Sequence, residues 1–414
     1  MVRGLSPAIR APQDGLIVAA SDTSAQRPVV GVVGAGTMGA GIVQVALEAG
    51  HRVRLFDVDA AAVERGVERI RAGLSRRATG HEAEGDERTL TARVAGTLER
   101  LSVAASLEDV AAGADLVLEA ALEDLGTKRA VFAALDEASP SAILATNTSA
   151  LSVADIAAGA RRRDRVLGLH FFNPAPIMAL VEVVPTSATD PAVVDAATEL
   201  VRGWGKTPVR AADLPGFIVN RVNRPFTLEP LAILESGTAT VPSIDAAIRE
   251  AGFPMGPFEL MDLVGIDVNL ASTRAIHLAL AGTADAERFR PSPIQERLVA
   301  ERRLGRKTGH GFYEYDAEGR SGRPADLWTV GPDTLPAGAI AERVLLAIAA
   351  EAVRAAAAGV ATPADIDRAM RLGAAHPSGP FELIEATGGM ERLSRRLVAH
   401  RDLGPRFTVP GSLR

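Results

Sequence analysis

Short apolar runs and amphipathic stretches alternate from Pro28 to about Arg210. Val29 to Val33 is a continuous apolar run, of the kind that forms a strand buried on both faces. Thr37 to Ala49 has helical spacing, and Gly50 falls where a helix is closed by a glycine. Arg52-Val-Arg-Leu-Phe56 alternates as a half-buried strand does. Leu101–Ala104, Asp115–Glu119, Ala142–Thr146, Val166–His170 and Leu180–Val184 are further strand candidates. Strands alternating with helices predict an α/β fold with a mostly parallel, doubly wound sheet. Residues 76–92 are polar and read as a helix-linked excursion outside it.

Beyond about Asp213 the strand signals stop and Ala/Leu/Arg-rich helical patterns take over. A repeat lies within them. Gly237-Thr-Ala-Thr-Val-Pro242, Ile244-Asp245 and Gly256-Pro-Phe-Glu-Leu260 return as Gly359-Val-Ala-Thr-Pro363, Ile366-Asp367 and Gly379-Pro-Phe-Glu-Leu383. The predicted organisation is a tail (1–27, disordered), an α/β Rossmann domain (28–212) and two all-α domains in tandem (213–315 and 337–414). A linker (316–336) separates the last two.

Composition narrows the function. In 414 residues with a formal charge of −6, Lys and Arg are scattered, which disfavours a nucleic-acid surface. The one tight run, Arg161-Arg162-Arg163, reads as a solvated turn. There is no cysteine, so disulfides, thiol nucleophiles and thiolate-held metals are excluded, in keeping with a reducing compartment. No run approaches the roughly 18 to 20 apolar residues a membrane span needs, and residues 1–27 lack the apolar core of a signal peptide. The expected location is cytoplasmic.

Gly34-Ala-Gly36-Thr37-Met38-Gly39 follows a predicted strand and opens a predicted helix. Glycines at this spacing allow a tight turn, close approach of a pyrophosphate, and packing of helix on strand. The helix N-terminus adds free amides and the positive end of its dipole. Asp57 ends the next strand, where a carboxylate bonds ribose hydroxyls and repels a 2′-phosphate. With Asp59 nearby and no arginine directly following, NAD is expected rather than NADP. His170 closes a strand, and Glu182 is a charge centred in an apolar run. If the chain reverses between them, Glu182 pairs with the imidazole and makes it a general base. Asn147-Thr-Ser149 ends another strand, at the crevice edge of such a sheet. Asn220, in Pro215-Gly-Phe-Ile-Val-Asn-Arg221, is a poor mid-helix residue at the start of the helical half.

These segments, with Glu119-Ala-Ala-Leu-Glu123, His170-Phe-Phe-Asn-Pro174, Val181-Glu-Val183 and Gly305-Arg-Lys-Thr-Gly-His-Gly-Phe-Tyr313, resemble the 3-hydroxyacyl-CoA dehydrogenase family over 28–315 and again in the second helical copy. The resemblance implies oxidation of an L-3-hydroxyacyl thioester, such as 3-hydroxybutyryl-CoA, to the 3-ketoacyl thioester, or the reverse, without a metal. It implies His170 as base with Glu182 as its partner, and Ser149 and Asn220 holding the substrate oxygen. It also puts Asp57 at the adenosine ribose, and Glu123, Lys128 and Asn173 near the nicotinamide. Where relatives carry lysines for the CoA phosphates, Ser75 to Glu87 holds acids, with Arg76 and Arg77 as its only cations besides His81. An acyl-carrier-protein thioester is therefore the alternative substrate, and a non-catalytic crystallin-like binding protein is the alternative class. Related β-hydroxyacid dehydrogenases use a lysine base, which the His-Glu pair disfavours. In the repeat Glu342 aligns with Asn220, so the second copy reads as structural. It could replace a dimer contact within one chain, giving a pseudo-dimeric monomer rather than a homodimer.

Overall fold

The computed structural model describes residues 27–81, 87–316, 318–319, 321–325 and 334–413. The expected disordered tail lies outside the described residues except for Arg27, as does much of the expected linker.

The first half is one eight-stranded sheet: β1 (Val29–Val33), β2 (Arg52–Phe56), β3 (Leu101–Val103), β4 (Leu116–Glu119), β5 (Ile143–Thr146), β6 (Val166–Phe171), β7 (Leu180–Pro185) and β8 (Thr207–Arg210). Their order is β3-β2-β1-β4-β5-β6-β7-β8. The chain crosses from one side of β1 to the other between β3 and β4, so a crevice opens past the ends of β1 and β4. β1, β4, β5 and β6 are buried throughout, which explains their mostly apolar sequences, with Glu119, Thr146 and His170 toward their C-terminal ends. All neighbours pair in parallel except β6 and β7. β8 escapes the apolar pattern because it is short and carries Pro208, which is tolerated at a sheet edge.

Helices α1 (Thr37–Glu48), α4 (Leu107–Ala111), α5 (Leu125–Ala138), α6 (Val153–Ala157) and α7 (Pro191–Gly203) cover the sheet. Between α1 and α4, α2 (Ala60–His81) and α3 (Glu87–Leu98) form the expected excursion. The arginine run is less solvated than expected: Arg162 bonds the buried Asp136 carboxylate at 2.8 Å.

The helical half runs α8 (Val219–Val222), α9 (Pro225–Glu235), α10 (Val241–Glu250), α11 (Pro257–Val264), α12 (Ile266–Ala279) and α13 (Pro293–Ala300). It continues with α14 (Ala337–Ala357), α15 (Pro363–Ala374), α16 (Pro380–Ala386) and α17 (Gly389–His400). None of the described helices is long and apolar enough to cross a membrane. The repeated sequences make the same bonds. Asp245 accepts the amides of Phe258 and Glu259, and Asp367 accepts those of Phe381 and Glu382. Glu259 and Glu382 each cap their own helix through the preceding glycine amide. Where α14 is continuous, the corresponding stretch is split into α8 and α9. Pro225 has no amide hydrogen to continue the ladder, whereas α14 is alanine-rich and proline-free. The two segments do not bury separate cores: Phe226 and Leu231 share one apolar cluster with Val344 and Ile348, and it reaches Leu180 and Val184 on the sheet.

Two expectations are corrected here. Strands do not end at Asp213, and the segment 316–336 is not simply a linker. β9 (Tyr313–Tyr315) pairs antiparallel with β10 (Ser321–Pro324). This small hairpin is anchored by buried Asp262, which accepts the amides of Phe312 and Tyr313 and the Tyr315 hydroxyl at 2.9–3.0 Å. An alternation of three residues is too short to read as a strand without its anchor. Asp262→Ala would leave three donors without an acceptor, at about 1–3 kcal/mol each. Urea unfolding is expected to show a loss of about 3 kcal/mol or more; an unchanged midpoint would remove Asp262 as the anchor.

Candidate active site

The turn after β1 explains its three glycines separately. Gly34 has φ +103°, and a Cβ there would lie 2.5 Å from the Ala120 carbonyl oxygen. At Gly39 a Cβ would lie 1.8 Å from the Gly34 carbonyl oxygen, so only glycine lets α1 close onto the turn. Gly36 is different: beyond its own chain neighbours, nothing lies within 4 Å of a Cβ built there. The protein itself gives no reason for that glycine, whereas a closely approaching ligand does. α1 begins at Thr37 with no side-chain cap at Gly36 and no acid in its first turn, leaving its amides, Met38 and Gly39 included, to an anion. Asp57 accepts the Ala35 amide at 2.7 Å and the Asp59 amide at 3.0 Å, one on each oxygen. Each oxygen keeps a second lone pair for a ribose hydroxyl. These residues fit a dinucleotide.

Across the crevice, β6 and β7 pair in a register that puts His170 directly opposite Glu182. His170 Nδ1 lies 2.6 Å from Glu182 Oε2. Glu182 is fully buried and His170 is 5% exposed. The other carboxylate oxygen, Oε1, accepts the amides of Ile218 and Val219 at 3.0 and 2.9 Å. Glu182 thus meets three donors, as buried charge requires. With Nδ1 committed as the donor, Nε2 is the basic nitrogen, and it has no partner among the described residues. Phe172 and Phe217 flank the ring, with centroids 4.5 and 5.9 Å away.

Ser149 and Asn220 come together although 71 residues separate them: Asn220 Nδ2 donates to the Ser149 carbonyl at 3.1 Å. Asn220 sits on the single-turn α8, not in a long helix. The turn before it has positive φ at Gly216 and Phe217. Asn147 accepts the Phe171 amide at 2.8 Å and so ties β5 to the strand carrying His170. Asn173 is exposed and precedes the cis bond to Pro174.

Glu123 organises the Ser149 loop. Its Oε1 accepts the Thr148 hydroxyl at 2.6 Å and the amides of Ser149 and Ala150 at 3.0 and 3.2 Å. Burial pushes its carboxyl up, but the Lys128 ammonium, the Thr148 hydroxyl and the Ser149 amide outweigh burial and hold it below its ordinary value. Lys128, expected near the nicotinamide, is fully buried between Glu119 at 2.7 Å and Glu123 at 3.2 Å. Its ammonium pairs with the carboxylate that holds the Ser149 loop. Glu119, which Thr146 also meets at 2.7 Å, is an organising residue that the sequence reading did not single out. Its signal is the one that marked Glu182, a carboxylate in an apolar strand. Lys206 had no such signal. Its ammonium donates to the carbonyls of Ala175, Pro176 and Met178, stapling the loop after His170. Burial, with Arg77 adding, pulls its pKa down to about 8.

A doubly wound sheet with a phosphate-ready glycine turn, a ribose-ready carboxylate and a histidine-carboxylate pair defines a nicotinamide-dinucleotide dehydrogenase. The chain belongs to the 3-hydroxyacyl-CoA dehydrogenase family: residues 29–214 match its NAD-binding domain, and 216–315 and 338–404 match its C-terminal domain. The 3-hydroxyadipyl-CoA dehydrogenase of Escherichia coli (strain K12) is 48% identical over 293 residues, which is 70% of this chain and 59% of that protein. Mitochondrial hydroxyacyl-coenzyme A dehydrogenase of Mus musculus is 42% identical over 69% of this chain and 90% of its own. A solved 3-hydroxybutyryl-CoA dehydrogenase from Escherichia coli K12 superposes with a TM-score of 0.81 at 36% identity, covering 94% of this chain and 97% of that one.

Two measurements follow from the geometry. Gly36→Val is expected to fold with an unchanged unfolding midpoint yet to bind NAD at least about tenfold more weakly by calorimetric titration, because the pyrophosphate must approach that backbone closely. Equal loss of stability and affinity would mean the glycine serves the fold. The Glu123 clamp stabilises the fold above the ordinary glutamate value of 4.5 and is lost as pH falls through its lowered value. The urea-unfolding difference between wild type and Glu123→Gln should therefore be constant near neutrality and shrink below that value; a pH-independent difference would remove charge from the account.

Proposed function

We propose that this chain oxidises an L-3-hydroxyacyl-CoA, with 3-hydroxybutyryl-CoA as the first substrate to test, to the 3-ketoacyl-CoA, or catalyses the reverse reduction. The observation that carries the reading is the His170–Glu182 pair, with Nε2 of the imidazole left for substrate. NAD would be held by the Gly34–Gly39 turn and Asp57, and when bound would supply the hydride acceptor. His170 takes the proton of the 3-hydroxyl through Nε2. Glu182 fixes the ring's tautomer and steadies the imidazolium that forms. Ser149 and Asn220 orient the substrate oxygen beside His170, and the Glu123 clamp holds the loop that carries Ser149.

CoA is favoured over an acyl carrier protein as the carrier. The relatives and the solved structure named above are CoA dehydrogenases by name. Beside the lysine-free α2–α3 segment lies a cleft of about 850 Å³ whose lining includes Arg77 and Arg93, together with Glu48, which pairs with Arg77 at 3.5 Å. Initial rates with acetoacetyl-CoA and NADH, followed by NADH absorbance, test the reading. His170→Ala is expected to lose about 10²–10⁴ in kcat. Wild type and variant equally slow on every acyl-CoA would defeat the enzyme reading, and faster turnover of the same acyl group on carrier protein would change the carrier.

The two helical segments are read as copies of one unit joined as a pseudo-dimer. Arg221 and Glu229 recur as Arg343 and Glu351. Arg221 pairs with Glu351 while Arg343 pairs with Glu229, the reciprocal pattern of a two-fold interface. Light scattering is expected to give the mass of one chain; an obligate dimer through the first copy would overturn this.

A further inference from the structure

We infer that Glu351, in the second helical copy, is a positioning residue for the active site in the first half of the chain. The inference rests on the dehydrogenase reading of that site. Glu351 is buried in α14 and takes Arg221 Nε on one oxygen at 3.0 Å and Arg288 Nε on the other at 2.9 Å. Arg221 directly follows Asn220 on α8, and the amides at the start of α8 are those that hold Glu182. A continuous set of contacts therefore runs from Glu351 through Arg221 and α8 to Glu182 and His170.

α8 needs outside support. It is four residues long, too short to persist alone, and it lies between the left-handed turn at Gly216 and Phe217 and the break at Pro225. The second copy supplies three of its supports. Glu351 holds Arg221. His376 Nε2 bonds Asn223 Oδ1 at 2.9 Å. Gly373 packs so closely that a Cβ there would come within 3.0 Å of Val219 and 2.6 Å of Leu180. The site is built on one copy and braced by the other.

The pseudo-symmetry provides an internal control. Glu229 is equally buried and takes the mirror-image pair, Arg343 and Arg406. The residue before Arg343 is Glu342, however, where the first copy has Asn220, and α14 is continuous there. Removing either carboxylate disrupts an arginine cluster: Glu351 holds Arg221 and Arg288, with Arg354 at 3.5 Å, and Glu229 holds Arg343 and Arg406. Only the loss at Glu351 releases the helix that carries Asn220.

The test compares Glu351→Gln with Glu229→Gln in the full chain. Both are expected to lower the unfolding midpoint. Glu351→Gln alone should lower kcat by roughly ten- to a hundredfold with little change in KM for NAD, the signature of a misplaced reacting group. It alone should also speed hydrogen exchange of the amides of residues 218–222, measured by mass spectrometry. If Glu351→Gln does not fold, Glu351→Asp keeps the charge but shortens the reach, and should show the same pattern at smaller size against Glu229→Asp. Equal exchange at 218–222 in the paired variants overturns the inference whatever the activity, and so does equal kcat. A wild type inactive on every thioester would instead defeat the dehydrogenase reading, while the exchange comparison still decides the role of Glu351.

Discussion

A single buried carboxylate, Glu182, joins the two halves of this molecule. It stands in a strand of the sheet, and one of its oxygens faces a histidine of the neighbouring strand. The other oxygen faces two amides at the start of the helical half. An ionised carboxylate without donors in so apolar a place would cost far more than the fold could sustain. The three donors are therefore a condition for the charge to be there at all. Because the donors come from both halves, the orientation of the imidazole depends on how the halves are docked. The rest of the site follows the same rule. Ser149 comes from the sheet, Asn220 from the helices, and they meet by a backbone hydrogen bond across the boundary.

The same use of buried charge recurs within the helical half. Glu229 and Glu351 are both buried, Glu229 between Arg343 and Arg406 and Glu351 between Arg221 and Arg288 with Arg354 at 3.5 Å. Such groups add little net stability compared with well-packed apolar side chains, because their desolvation offsets much of their attraction. What they add is a single permitted docking. An apolar interface between alanine-rich helices tolerates sliding by a turn, whereas a carboxylate that must meet two guanidinium groups does not.

Much of this was legible in the chain. Gly34, Gly36 and Gly39 announced the turn because their spacing itself carries its three demands, a tight turn, close approach of a pyrophosphate, and packing of helix on strand. The His170–Glu182 pair was readable because two strands with a short connection leave little choice of register. The depth at which the Lys128 ammonium is buried was not legible, because sequence gives its proximity to Glu123 but not its pairing with Glu119. Glu119 shows the same limit, since its partners Lys128 and Thr146 lie on other elements. The β9–β10 hairpin was missed since Asp262, which holds it, lies about fifty residues upstream in a helix. The repeat was visible in Gly-Pro-Phe-Glu-Leu, but the crossed pairing of its arginines and glutamates was not. A repeat shows that two units are alike and leaves open how they face one another.

The contrast between α8–α9 and α14 bears on how the two copies can change. The first copy must keep a one-turn helix, a left-handed Phe217 and a proline break, all awkward for a helical unit and all tied to Asn220. The second copy carries none of these and spans the same stretch as one unbroken helix. A protein with two identical subunits could not make this separation, since every substitution would fall on both interfaces at once. If the two segments are a pseudo-dimer, as proposed, placing the pair in one chain lets one copy specialise in rigidity while the other retains the irregular geometry, so the two can diverge without either task being compromised by the other.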